Sequence, residues 1–571
     1  MRKPIALAAW TLHAATAVRR RRRKPSRSRP TPSSPPMQAR SVDSARMTSE
    51  QRRNERCHCG SGQRYKHCHG APIIDLPMTA DLALLIRRAE AERTQRELQQ
   101  GKGKGFISAV VGDRRFVAVG KTMMWGKWKT VPDFLMDYIK RTIGSDWGNA
   151  ELAKTSAERH PLLNQYQHLC AAQTRSTRGE DGLLRSEITG ATASYLGLAY
   201  NLYCLEHNAE VQQRLLHRLR NKDLFEDTRY EILVAGAFAR AGFTLAHEDE
   251  DDGTTTHHEF IAKHQESGRL FSVECKRRNS DDPKNLTRIG RIVRRALSKH
   301  AAHGRVVFLD LNYPGIVMSE DETPPWLTAA IAQVHRLEDK QQGAALPSAC
   351  IVLTNNPCDL FPDETKIGFV ALRTSIRIPE MRFGRSTDLR GLIDERANNP
   401  EIHELMLSLR DHHHIPATFD GSIPQLAFGN ARPRLLVGER YALDDGAVGT
   451  IVDAPVVMEN EKKAYCILRM ESGAQSIYSF TMTDDEIEGW RQHPTTFFGV
   501  VQESNKPLKV PLDYYEFHLR TLSGMSKEQL LAMMTSWPPH LKLEGQTRDE
   551  LASLLAEARA LQLLSMARKT D

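Results

Sequence analysis

Two short stretches carry residue types whose spacing could do chemistry. In Val273-Glu274-Cys275-Lys276-Arg277 a carboxylate and an amine stand two residues apart. Alternate side chains of a strand share a face, so Glu274 and Lys276 point together while Val273 and Cys275 point into the core behind them. Such a pair becomes a site if further acids converge on it, because carboxylate oxygens are the ligands hard cations take. The second stretch runs from Cys57-His58-Cys59 through Gly60-Ser61-Gly62 to Cys68-His69. Two thiols at i and i+2, then a thiol beside an imidazole, supply four ligands that can close tetrahedrally on zinc, and the Gly-Ser-Gly turn gives the reversal between the halves. A closed site of this kind is structural and does not catalyse.

The elements around the first stretch are those that could bring acids to it. His258-Glu259-Phe260-Ile261-Ala262 reads as a preceding strand with Glu259 and Ile261 on one face, entered from the turn-rich Asp251-Asp252-Gly253-Thr254. Before it, Asp227-Thr228-Arg229-Tyr230-Glu231 opens a helix in which Ile232, Ala235, Phe238 and Ala239 follow the 3.6-residue period. Gly242 stands where a residue just past the helix end is expected. Downstream, Leu286, Ile289, Ile292, Val293, Ala296 and Leu297 repeat at helical spacing, and Arg305 to Leu311 is an apolar strand. The expected order is helix, strand, strand, helix, strand.

This order, with these residues, resembles the restriction-endonuclease-like, or PD-(D/E)XK, nuclease superfamily. The resemblance maps Glu231 onto the family's helix acid, Glu259 onto its second-strand acid, Glu274 onto the metal-binding acid and Lys276 onto the lysine that positions or deprotonates water. It implies Mg²⁺ or Mn²⁺ held by Glu259 and Glu274, with Glu231 as an outer ligand, and hydrolysis of phosphodiester bonds, DNA ahead of RNA. Glu259 stands where the family usually carries Asp, and Thr244-Leu245-Ala246 is the candidate for its first strand. The physical logic is direct: a hard cation offsets charge on the phosphate and lowers the pKa of a bound water, and a lysine places positive charge beside the attacked phosphorus. The cysteine-rich stretch resembles the SEC-C metal-binding motif, found as an add-on in many bacterial proteins. That likeness implies Cys57, Cys59, Cys68 and His69 as zinc ligands and a docking module for a protein partner, or for nucleic acid through Arg64 and Lys66.

Composition bounds the rest. A 571-residue chain is too long for one core and suggests about three to five units. The 40% hydrophobic and 26% charged fractions are those of a soluble globular protein. The net charge is +9, but residues 1–46 hold twelve Lys or Arg and one acid, a balance of +11, so the remainder sums to 9 − 11 = −2. A nucleic-acid surface must therefore be local. The expected one is Arg277, Arg278, Arg288, Arg291, Arg294 and Arg295, at the exit of the Glu274 strand and along the helix after it. Nine cysteines, an odd number, argue against a disulfide framework and fit a reducing cytoplasm. Ile5 to Val18 is too short to span a bilayer, so no membrane is expected as a partner.

The expected fold class is multidomain α+β. Residues 1–46 read as a disordered basic extension or an over-extended reading frame, 47–76 as the zinc knuckle, and 77–207 as an α-rich middle region with a hairpin turning at Gly112-Asp113. Residues 208–365 read as the nuclease-like α/β core and 366–432 as a linker with helices. Short strands with Asp/Gly turns over 433–502 suggest a small β-barrel, and 503–571 reads as C-terminal helices. Asp411-His412-His413-His414 is expected to be a solvated cluster, since adjacent histidines on a helix end point in different directions. A second expectation of another class is a non-catalytic adaptor that keeps the nuclease-like fold and recruits protein partners through the zinc knuckle and the barrel.

Overall fold

The structure is a computed structural model that describes residues 10–11, 16–17, 80–178, 183–208, 213–246, 258–279, 282–315, 323–339, 345–365, 367–384, 388–428, 432–443, 446–502, 508 and 510–570. The four expected zinc ligands lie outside these residues, as does the expected disordered extension 1–46 apart from Trp10–Thr11 and Thr16–Ala17, which pair as short strands. Residues 20–86 form one compact unit, of which only the first turns of a helix, Ala80–Gln100, are described; the remaining chain forms the other.

The second unit is built on a mixed sheet. Its elements in chain order are α1 (Gly190–Asn208), α2 (Gln213–Arg220), α3 (Phe225–Arg240), β1 (Phe243–Ala246), β2 (Phe260–His264), β3 (Leu270–Arg277), α4 (Ile289–Leu297), β4 (Gly304–Asp310), α5 (Pro325–Asp339), β5 (Ala349–Asn355), β6 (Gly368–Ile376) and α6 (Pro400–Asp411). The sheet order is β6-β5-β4-β3-β2-β1, with Trp10–Thr11 added outside β6. β3, β4 and β5 are parallel, and Glu274 lies opposite Val307; β1, β2 and β6 join antiparallel.

Helices cover both faces, which is why β4 and β5 are nearly continuous apolar runs and not alternating ones. On one face Phe238 of α3 packs with Phe260, Val273, Cys275, Val306 and Phe308. On the other, Ile289, Val293 and Leu297 of α4 and Leu327 and Val334 of α5 pack on Val307 and Leu309. The expected helix-to-strand transition at Gly242 is present, with φ of 88°, a conformation that favours glycine.

Three expectations about architecture change. β6 is a nine-residue strand that pairs with β5 from Val370 to Ile376, so the sheet continues past residue 365, where the linker was expected to begin. The hairpin after Gly105 gains a third strand: Ser108–Val111, Arg114–Val119 and Thr122–Gly126 form an antiparallel meander through turns at Gly112 and Gly120, both with positive φ. The expected β-barrel is corrected to an open antiparallel sheet: Arg440–Ala442, Val448–Ile451, Val456–Met458, Lys463–Met470 and Gln475–Thr481 do not close among the described residues. Val448–Ile451 and Val456–Met458 both pair with Lys463–Met470, and the register slips between them where Pro455 lacks the N–H a ladder needs. The C-terminal helices Pro511–Leu522 and Arg548–Thr570 bury Leu522, Leu551 and Leu555 against Leu389 and Ile393. Among the described residues no helix is long and apolar enough to cross a membrane.

Candidate functional site

Glu274 and Lys276 leave β3 on the same side, as strand alternation requires, and their side chains meet: Lys276 Nζ lies 2.6 Å from Glu274 Oε1. Glu259 stands just ahead of β2, where its N–H donates to Val273 O at 3.1 Å, and its carboxylate reaches Lys276 Nζ at 3.5 Å. A second amine arrives from the end of α4, with Lys299 Nζ 2.8 Å from Glu274. Glu231 lies on α3 and pairs with Arg218 of α2 at 2.9 Å. Glu274 is 1% exposed and Glu231 4% exposed, so both carboxylates depend on these cations for the solvation they lose on burial.

Glu259, Glu274 and Lys276 meet, while the contact of Glu231 is with Arg218 of α2. The buried Cys275 thiol has its pKa pushed well above the ordinary thiol value by burial, then by the Glu259, Glu231 and Glu274 carboxylates, with Lys276 opposing. Burial raises the pKa of Glu259; Lys276 opposes that rise and Glu274 reinforces it. For Lys276 burial works against the charge, but the Glu274 and Glu259 carboxylates outweigh it and hold the pKa above the ordinary lysine value. The result is a set of carboxylates and amines at the junction of α3, β2, β3 and α4 that can bind a cation, hold a proton or present positive charge to an anion.

Sequence reasoning missed two members. Arg218 had no signal beyond its place on a strongly amphipathic helix. Lys299 was visible only as part of a basic run, and its contact with Glu274 spans 25 residues and a helix.

The expected nucleic-acid surface divides. Arg288, Arg291, Arg294 and Arg295 are exposed along α4, opposite the buried Ile289, Val293, Ala296 and Leu297. Arg278 is corrected from surface to interior: it is 1% exposed, and its guanidinium donates to Leu311 O at 2.6 Å, Asn285 O at 3.0 Å and Pro283 O, tying the chain after β3 to the chain after β4. Arg277 is half-buried and turns to a second ionic cluster at the carboxyl ends of the parallel strands. There it lies 3.5 Å from Asp310 and 3.8 Å from Glu226, while Arg229 pairs with Glu226 at 2.8 Å and with Asp359. The histidines after α6 are likewise not a solvated cluster. His413 stacks on Phe369 with ring centroids 4.2 Å apart, and burial pushes its pKa down to about 3 and that of His412 to about 4.

The arrangement defines a mixed α+β protein whose central sheet carries a half-buried carboxylate–lysine cluster. Residues 53–71 match the SEC-C motif, a zinc-binding type of motif, in the stretch that contains Cys57, Cys59, Cys68 and His69. No curated protein and no solved structure matches the chain.

Proposed function

We propose that the chain is a metal-dependent nuclease, hydrolysing phosphodiester bonds in DNA ahead of RNA, with an SEC-C zinc knuckle as a docking module. The observation that supports it is the meeting of Glu259, at the entry to β2, and Glu274 of the neighbouring β3 at the single ammonium of Lys276, 3.5 and 2.6 Å away. Among the described residues no group of three or more His, Cys, Asp or Glu is arranged to hold a metal ion. Two carboxylates still fit Mg²⁺ in kind, because Mg²⁺ keeps several waters and is commonly held by one or two carboxylates together with substrate phosphate. Such a cation, when bound, offsets phosphate charge and lowers the pKa of water.

The residues of this chain have separable parts in that reading. Glu259 and Glu274 would hold the cation, and Glu231, paired with Arg218, would be the outer acid. Lys276 and Lys299 would place two positive charges beside a bound phosphate, where the transition state gains negative charge. The exposed arginines of α4 bind flanking phosphates. In the knuckle, Cys57, Cys59, Cys68 and His69 hold zinc and no step of hydrolysis passes through it.

The second reading, a non-catalytic adaptor, has one observation in its favour: Glu231, Glu259 and Glu274 are each already paired with a base, as a site without metal requires. One experiment separates the two. The purified chain is incubated with single- and double-stranded DNA and RNA and added Mg²⁺ or Mn²⁺, beside Glu274→Gln and Lys276→Met. Metal-dependent cleavage that falls by about 100-fold or more in both variants, with zinc content and circular dichroism unchanged, is the expected result. Absence of cleavage by the native chain with either metal would leave the adaptor.

A further inference from the structure

In the meander Ser108–Gly126 the inner side is covered at Val117 and Val119 and open at Val110, which lies opposite Arg115 and is 59% exposed, while the outer side has an unusual composition. Val117 and Val119 are buried on the inner side, and Arg115 joins them there, its guanidinium 4.4 Å from the Phe419 ring. The register fixes what the outer side carries: Ala109, Phe116 and Trp125 lie side by side across the three strands, Val111 lies opposite Arg114, and Ala118 opposite Met123. An antiparallel sheet with one solvated face ordinarily alternates to polar residues there. Here the solvated face is apolar and aromatic: Trp125 is 50% exposed, Met123 62% and Val111 65%.

The charges around that face are of one sign. Residues 107–130 contain Arg114, Arg115, Lys121, Lys127 and Lys129 against a single acid, Asp113, in a chain whose body is otherwise slightly acidic. Arg115 faces inward; Arg114, Lys121, Lys127 and Lys129 are exposed. The Asp113 carboxylate is taken by Lys127, and Arg114 lies over the Trp125 ring at 4.4 Å, which keeps a planar cation and a planar aromatic together on the surface.

We propose that this outer face is a binding platform for single-stranded nucleic acid, with Trp125 and Phe116 stacking on unpaired bases and Arg114, Lys121, Lys127 and Lys129 contacting phosphates. Apolar and aromatic side chains on an open sheet meet base faces, which a duplex hides and a single strand exposes, and the flanking cations track the backbone. A protein partner would have to be strongly acidic to meet the same rim, and a second copy of this chain would bring like charge to like charge. The proposal does not depend on the carboxylate–lysine cluster being catalytic, since binding and cleavage are read separately.

The test is fluorescence anisotropy of a labelled oligothymidylate about 20 nucleotides long, and of a duplex of the same length, without added divalent metal so that cleavage does not intervene. The full chain is compared with Trp125→Ala, Trp125→Phe and Lys121→Glu/Lys127→Glu. The expected result is preference for the single strand, a loss of at least about tenfold in Trp125→Ala, near-native binding in Trp125→Phe, and a weaker salt dependence in the double charge variant. Trp125 is half exposed, so its two variants should keep the native fold, while the charge variant, which removes the Lys127–Asp113 pair, is compared with them only after its melting temperature is matched. Native single-strand affinity in Trp125→Ala, or an equal loss for single strand and duplex, would overturn the proposal. So would a Trp125→Ala variant that only dissolves a self-associated form without changing oligonucleotide binding. A failed cleavage assay would leave this binding intact, so the two readings fail separately.

Discussion

At the scale of single residues, the cluster balances acids against bases in a place where water cannot do so. Glu274 is almost fully buried and receives two amines, and Glu259 shares one of them at a longer distance. Glu259 is accordingly the acid whose pKa burial raises above its ordinary 4.5. The folded state keeps this proton longer than the unfolded chain, so Glu259 weakens the fold as pH rises through its folded pKa, and in the proposed nuclease it would take a cation only above that pKa. Metal-dependent cleavage should therefore fall off on the acid side at a pH above the ordinary glutamate value of 4.5, measured as rate against pH from about 4 to about 8. A limb at or below 4.5 would mean that another group controls cation entry. The position of Glu274 and Lys276 on one face was legible from their spacing, because it depends only on strand alternation. The arrival of Arg218 and Lys299 was not, because each comes from another helix through packing that no local pattern encodes.

At the scale of elements, the carboxyl ends of β3, β4 and β5 hold the second ionic cluster, with Arg277, Asp310 and the β5 exit against Glu226 and Arg229 of α3 and Asp359 beyond β5. Tyr230 Oη and Thr354 Oγ1 share a hydrogen bond at 2.7 Å across the same junction. Burial raises the Asp310 pKa to about 6, with Arg277 and Arg229 opposing. The folded state thus holds a proton that the unfolded chain releases near 3.8, and the contribution of Asp310 to stability declines as pH rises between those values. Relative to Asp310→Asn, the native chain should lose roughly 3 kcal/mol of unfolding free energy between about pH 4 and about pH 8, read from denaturant melts at each pH. A constant difference would show that the arginines hold Asp310 charged throughout. The helix and strand types here were readable from apolar periodicity. The burial of Arg277 and Arg278 was not, since a basic run looks the same whether its guanidinium groups meet water or backbone carbonyls.

At the scale of the whole molecule, charge is distributed so that residues 1–46 carry +11 and the rest −2. Removing residues 1–46 should weaken binding of nucleic acid at low salt by about tenfold or more and make log affinity less steep in log salt, since fewer counterions are released. The ratio between native and Trp125→Ala affinities should stay the same in the shortened chain, because stacking is local; a ratio that collapses would place the binding in the extension. What the sequence determined by itself is what short range fixes: the SEC-C motif within residues 53–71, the same-face pairing of Glu274 with Lys276, and most helices and strands around them. Tertiary structure alone decided that β6 joins the main sheet, that the small C-terminal sheet stays open among the described residues, that Arg278 is interior, and that Trp125, Met123 and Val111 on the outer face of the meander remain exposed. The physical reason is common to all four: which face of an element is covered depends on partners distant in the chain, and residue order reports the face but not what arrives to cover it.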